Sequence, residues 1–168
     1  MNYIKTDADG VVIQKQGYWE DGFDEAPDWV VCGMVADGEG GYAAPPLSLA
    51  DRQASAWELI KAERDRRKVL GVKVGANWFH SDDSSRIQQL ALMMMGASIP
   101  PGLQWKTLTT TPPPVFVTMT QALATGIFQA TAASDAAIFA ACEVHRVAME
   151  ESVTPETYDS SAGWAASI

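Results

Sequence analysis

Gly71-Val-Lys-Val-Gly-Ala-Asn-Trp-Phe-His-Ser-Asp-Asp83 is the stretch from which the fold is best read, because it places a short hairpin between two helical patterns. Val72 and Val74 alternate with polar neighbours, Gly75-Ala-Asn77 tolerates a tight turn, and Trp78 with Phe79 returns bulky apolar surface to whatever lies beneath. It reads as scaffold.

On its N-terminal side, Ser48-Leu-Ala-Asp51 has the form of a capping box. The helix it opens is expected to run to about Leu70 and stop at Gly71, with Ala56, Trp57, Leu59 and Ile60 on its apolar side. The charged run 61–68 reads as a solvated helix end, with contact to an acidic surface as its alternative. On the C-terminal side, Ser81 or Asp82 caps a second helix to Met95, with Ile87, Leu90, Ala91 and Met94 at helical spacing on its core face and the methionines filling the core. Leu103–Leu108 and Pro114–Met119 read as two strands that join the 71–80 hairpin in one small sheet. The proline-rich connection between them reads as a stiff projecting loop. Thr120 caps a pattern from Gln121 to Glu150, either one helix or two divided near Thr131–Asp135.

Upstream, Tyr3–Thr6 and Val11–Lys15 form a hairpin about Asp9-Gly10, and the apolar run Trp29–Val35 is expected as the third strand of that sheet. Asp37–Pro46 reads as a linker. The class is α+β: a β-rich acidic arm and linker, residues 1–47, ahead of a mainly helical body, residues 48–168, with a short antiparallel sheet and a long C-terminal helix or helix pair.

With 168 residues and 47% apolar composition, the chain is large enough to bury a core. Its start lacks the apolar run of a signal peptide, and no stretch looks like a bilayer span, so synthesis and folding in a cytoplasm and no membrane contact are expected. Residues 1–47 carry two basic and nine acidic side chains, a net of −7 within the total of −9. Such a field repels phosphate backbones and favours a basic protein surface, which argues against nucleic acid as partner.

Cys32 and Cys142 lie outside any paired motif and read as reduced thiols. Cys142 and His145 have chelating spacing on a helix, but His80 and Cys32 would have to complete the set from unrelated elements, so no metal or other cofactor is expected. His80-Ser-Asp-Asp83 reads as a carboxylate–histidine pair only weakly, because carboxylates open helices without catalytic duty. The six tryptophans say more. Trp78 and Trp105 are expected inside, Trp57, Phe79 and Trp164 as further anchors of the body, and Tyr18, Trp19, Phe23, Asp24 and Trp29 as the partner-binding set.

The ordered succession Ile60-Lys-Ala-Glu-Arg-Asp-Arg-Arg-Lys68, Gly71–Asp83 with Ser85-Arg-Ile-Gln-Gln89, Gln104-Trp-Lys-Thr107, Ile138-Phe139, His145, and Tyr158 with Gly163-Trp164 resembles a tailed-bacteriophage domain family of unknown function found in tail-fibre and tail-fibre-assembly proteins. The resemblance covers about 55–165 and transfers no catalytic residue. The sequence departs from the family pattern at Thr109–Pro114, where relatives carry a short glycine-containing turn, and it lacks the usual proline after Trp164. The resemblance implies a noncatalytic tail protein located in the virion tail, bound to a tail fibre or baseplate component as structural part or assembly chaperone. It also implies, by analogy with symmetric tail assemblies, a homo-oligomer such as a trimer. The alternatives are a receptor-binding tail protein using loop 109–114 and a hydrolase acting through the His80–Asp83 region.

Overall fold

Turn chemistry cuts the first 48 residues into five short strands. A computed structural model describes residues 1–110 and 113–167, and the chain divides into two compact units, Met1–Ser48 and Leu49–Ile168.

In the first unit, β1 (Asn2–Thr6) pairs antiparallel with β2 (Val12–Gln16). Asp7 closes the connecting turn, its carboxylate accepting from the backbone N–H groups of Asp9 and Val11 at 3.0 and 2.9 Å. The third strand is β3 (Asp24–Ala26) on the other edge of β1, not the apolar run Trp29–Val35. That run is spent on turns: Val30 N–H donates to Pro27 and Met34 N–H to Val31. Val30 is buried in the core beside Ile4, Val12 and Ala26 and Met34 packs at its edge, while Trp29, Val31 and Cys32 face solvent. Turn-forming Pro27 and Gly33 outweigh the β preference of the residues between them. Only its last residue is in a strand, β4 (Val35–Ala36), which pairs with β5 (Tyr42–Ala43). The first half of the expected linker is therefore a hairpin turn, held by Asp37 accepting from Glu39 and Gly41 N–H, both at 2.8 Å.

The second unit is built along one helix. α1 (Leu49–Lys68) is followed by the hairpin β6 (Val72–Val74) and β7 (Asn77–Phe79), then by α2 (Asp83–Met95). Gly75 has φ +60° and Ala76 a negative φ, the combination of a type II′ turn. β8 (Gln104–Lys106) pairs with β9 (Phe116–Thr118), and α3 (Gln121–Glu150) is a single unbroken helix capped by Thr120. Among the described residues the two hairpins form separate two-stranded sheets, linked by a bridge from Trp78 to Leu108. Thr111 and Pro112 of the expected stiff loop, and Ile168, lie outside the described residues.

α3 stays continuous because one of its faces serves two cores. Ala124 and Ile127 join Val72, Phe79, Leu92, Ile99 and Met119 in the first; Cys142 and Met149 join Ala56 and Ile60 of α1 in the second. Trp105 packs at the edge of the first core, Trp57 and Trp164 at the edge of the second, and Trp78 is likewise only half-buried. β6 packs closely on α3 at Gly126, where a Cβ would lie 3.4 Å from the Val74 side chain. By length and composition α3 could cross a bilayer, which corrects the expectation that no stretch is apolar enough. Its many alanines raise mean hydropathy without forming an obvious run of large apolar side chains. In this fold it packs against α1 and α2.

Two expected helix faces are corrected. Leu59 of α1 is exposed, while Ala56 and Ile60 are buried. On α2 the buried residues are Gln89 and Leu92, and Ile87, Leu90, Ala91 and Met94 point away from the core, with Met95 also exposed. The periodicity was real, but hydrogen bonding chose the opposite side: Gln89 Nε2 donates to the His80 carbonyl at 2.7 Å, a bond that holds a polar residue inside.

The charged end of α1 is an organised network. Glu63 accepts from Arg66 at 2.7 and 2.8 Å and from Arg67 at 2.6 Å. The Arg64 and Lys68 side chains lie 5.2 and 5.5 Å from the centroid of the Phe139 ring. Hydrogen bonds from Arg66 first, and then from Arg67, hold the Glu63 carboxyl down to about 2, against 4.5 for the free group, with burial opposing them. A folded value below the unfolded one stabilises the fold above the unfolded pKa, and this contribution is lost as pH falls from about 4.5 to about 2. Denaturant midpoints measured by circular dichroism across that window should fall with pH, and Glu63→Gln should make the fall shallower; an unchanged slope would refute the assignment.

Candidate functional site

The expected partner-binding residues all lie in the first unit. Tyr18 and Trp19 follow β2, Asp24 opens β3, and Trp29 sits in the turn after β3. Trp19 is 65% and Trp29 55% exposed, and Tyr18 is comparably open. Trp29 is steadied by an edge-on contact with Tyr42, ring centroids 6.2 Å apart. Gln16 holds the start of the Tyr18–Glu20 turn, donating to the Tyr18 carbonyl at 3.1 Å and to the Glu20 carboxylate at 3.3 Å. Phe23 differs from the rest of the set: it is 9% exposed, with the Lys5 ammonium 6.0 Å from its ring centroid, so most of its surface is used within the unit. Asp28, in the same turn as Trp29, accepts from Asn2 at 2.7 Å, and its backbone carbonyl accepts from Lys15 at 2.7 Å. These bonds fix the turn's backbone while leaving the indole ring largely in solvent.

The two weaker chemical candidates have structural roles. His145 places Nε2 2.9 Å from the Ala162 carbonyl, which can only accept, so Nε2 carries the proton. Nδ1 then accepts from the Tyr158 hydroxyl at 2.9 Å in the neutral ring, and the imidazole lies 4.8 Å from Trp164. Both nitrogens are thus occupied in tying the C-terminal segment to α3. Cys142, one turn earlier, is buried, and burial pushes its thiol up, the wrong direction for a nucleophile. Among the described residues, no group of three or more His, Cys, Asp or Glu side chains is placed to hold a metal ion.

His80 lines an open recess of about 280 Å³ with Lys106, Thr107 and Leu108, but Asp83 is not among its described lining residues. Asp82 caps α2, accepting from Ser85 N–H at 3.0 Å and from the Ser84 and Ser85 hydroxyls at 2.7 Å. Those hydroxyl donors hold its carboxyl well below the usual range.

Sequence reasoning missed the node where the elements of the second unit meet. Ser81, weighed only as a cap, is fully buried; its hydroxyl accepts from Gly71 N–H at 2.9 Å and donates to the Lys68 carbonyl at 2.7 Å. Arg86 donates to the same Lys68 carbonyl at 2.9 Å, to the Ser81 carbonyl, and in bidentate fashion to Asp135 at 2.6 and 3.0 Å. An arginine followed by a lone acidic residue 49 positions later carries no local signal of pairing.

The fold is that of an α+β protein in which a single long helix organises the larger unit. A family model described as Domain of unknown function (DUF4376) matches residues 51–162, and the chain belongs to that family. The match begins at the third residue of α1, runs past the Pro155–Thr157 turn and excludes the first unit. No curated protein and no solved structure matches the chain.

Proposed function

We propose that this is a noncatalytic bacteriophage tail protein that binds a tail-fibre or baseplate component, as a virion part or as an assembly chaperone. One observation carries the binding mode: Trp19 and Trp29 stand more than half exposed on a unit whose sequence carries a net charge of −7. Solvated indoles on a fixed backbone are suited to be interface anchors, and the surrounding carboxylates steer a basic partner surface and disfavour an acidic one. The tail assignment is supported by the motif order quoted above. The second unit would act as the mount.

The test is copurification with the fibre protein encoded beside it. Trp19→Ala with Trp29→Ala should weaken binding by about 2 kcal/mol or more, roughly 30-fold, without moving the thermal melt. Wild-type affinity in that variant would remove the first unit from the interface. Mass spectrometry of purified virions separates the two roles, since a structural part stays in the particle and a chaperone does not.

A further inference from the structure

We propose that the outward face of α2, with the groove between α2 and α3, is a self-association surface on which a second copy of this chain docks about a two-fold axis. Ile87 and Met94 are 69% and 77% exposed, and Leu90, Met95 and Phe128 are each two-fifths exposed or more. Ile87, Leu90 and Phe128 line an open groove of about 310 Å³ whose rim holds the Arg86–Asp135 pair. This surface is not the far side of an ordinary amphipathic helix, since α2 already buries Gln89 and Leu92 on its other side. Among the described residues it is the more apolar side of the helix, and it stands exposed.

Three features point to a second copy as the occupant. Charge is the first. Between Arg86 and Asp135 the sequence carries one charged side chain, Lys106, and the two flanking charges neutralise each other. Copies of a chain with net charge −9 repel one another across most approaches, above all through the acidic first unit, and an uncharged face is where that penalty is smallest. Shape is the second. An isologous interface needs knob and hole on the same patch, and here the exposed Met94 shares a helix face with Ile87 and Leu90, which line a recess together with Phe128, Ala132 and the buried Gln89 and Thr131. The spacing of Ile87 and Met94, with Leu90 and Ala91 between, is the seven-residue seam used by paired helices.

Area is the third. Side chains of this size carry roughly 200 Å² each when fully exposed, so these five leave on the order of 500–600 Å² in solvent. Two copies together would bury on the order of 1,100 Å², just above the roughly 1,000 Å² a specific interface needs. The expected product is a dimer in the micromolar range.

Sedimentation of the full chain over a range of concentrations should show a reversible monomer–dimer equilibrium that persists at high salt. Ile87→Glu with Met94→Glu should raise the dissociation constant by ~100-fold or more, because two carboxylates per copy would be driven into an apolar contact. Leu59→Glu, at an exposed position on α1, should leave it unchanged. Both variants should keep the wild-type melt at dilutions where all are monomeric. In a Cys32→Ser background, Ala91→Cys should form a disulfide-linked dimer when an added mild oxidant such as oxidised glutathione takes up the two electrons. A chain monomeric at all concentrations, a closed trimer, association abolished by salt, or a dimer indifferent to the α2 substitutions would each overturn the proposal. So would a monomer that uses this face to bind neutral lipid vesicles.

Discussion

Phe79→Ala is expected to destabilise the second unit by about 3–5 kcal/mol, the range for truncating a fully buried aromatic side chain. Phe79 ends β7 opposite Val72 and has no exposed surface. Its ring fills the space among Leu92, Ile99, Met119, Ala124 and Ile127, contributed by α2, the turn after it, the segment after β9, and α3. No single neighbour can relax into the cavity without losing its own packing elsewhere, so little of the cost should be recovered. For a unit of this size the thermal midpoint should drop by roughly 10–20 °C. Denaturant titration gives the free energy directly, and a loss under about 1.5 kcal/mol would mean that this core is not the one stabilising the unit.

Arg86→Ala should be nearly as damaging, at about 2–3 kcal/mol, for a different physical reason. The Arg86 side chain is about three-quarters buried, and its guanidinium serves the end of α1, the β7–α2 connection and the middle of α3 at once. Removing it takes the Arg86 donors from the Asp135 carboxylate and the Ser81 carbonyl and leaves the Lys68 carbonyl with the Ser81 hydroxyl. Lysine cannot substitute, because one ammonium does not reproduce the planar fork that reaches Asp135 in bidentate geometry while also serving the two carbonyls. Asp135→Ala alone should cost less, since the carbonyl bonds of Arg86 survive. The double variant should then be less destabilised than the two losses summed, and strict additivity in the double-mutant cycle would show that the pair does not couple.

The motifs that carry the family resemblance turn out to be occupied with holding the second unit together. Lys68, Gly71, Ser81 and Arg86 meet at one node, Phe79 fills the first core, and His145 joins Tyr158 and Trp164 in fastening the C-terminal segment. The most exposed tryptophans, Trp19 and Trp29, fall outside the matched residues. For this reason the binding hypothesis and the family membership are tested by different substitutions.

Local physical chemistry was enough for the elements whose stability is local. The Gly75 turn and the Asp82 and Thr120 caps act within a few residues, and each stands where the residues imply, while α1 ends at Lys68, two residues short of the expected Leu70, ahead of Gly71 at φ +105°. Elements depending on partners distant in sequence were decided only by the tertiary structure. Trp29–Val35 has strand-forming residues, but the edge of β1 was taken by Asp24–Ala26, where turns on either side set the register. The apolar side of α2 read from its sequence is not the one that faces α3; the Gln89 bond to the His80 carbonyl and the Arg86 bridge to Asp135 turn the more polar side inward. Periodicity reports that a helix has an apolar face, whereas which face turns inward here is decided by polar groups that find their partners once they are buried.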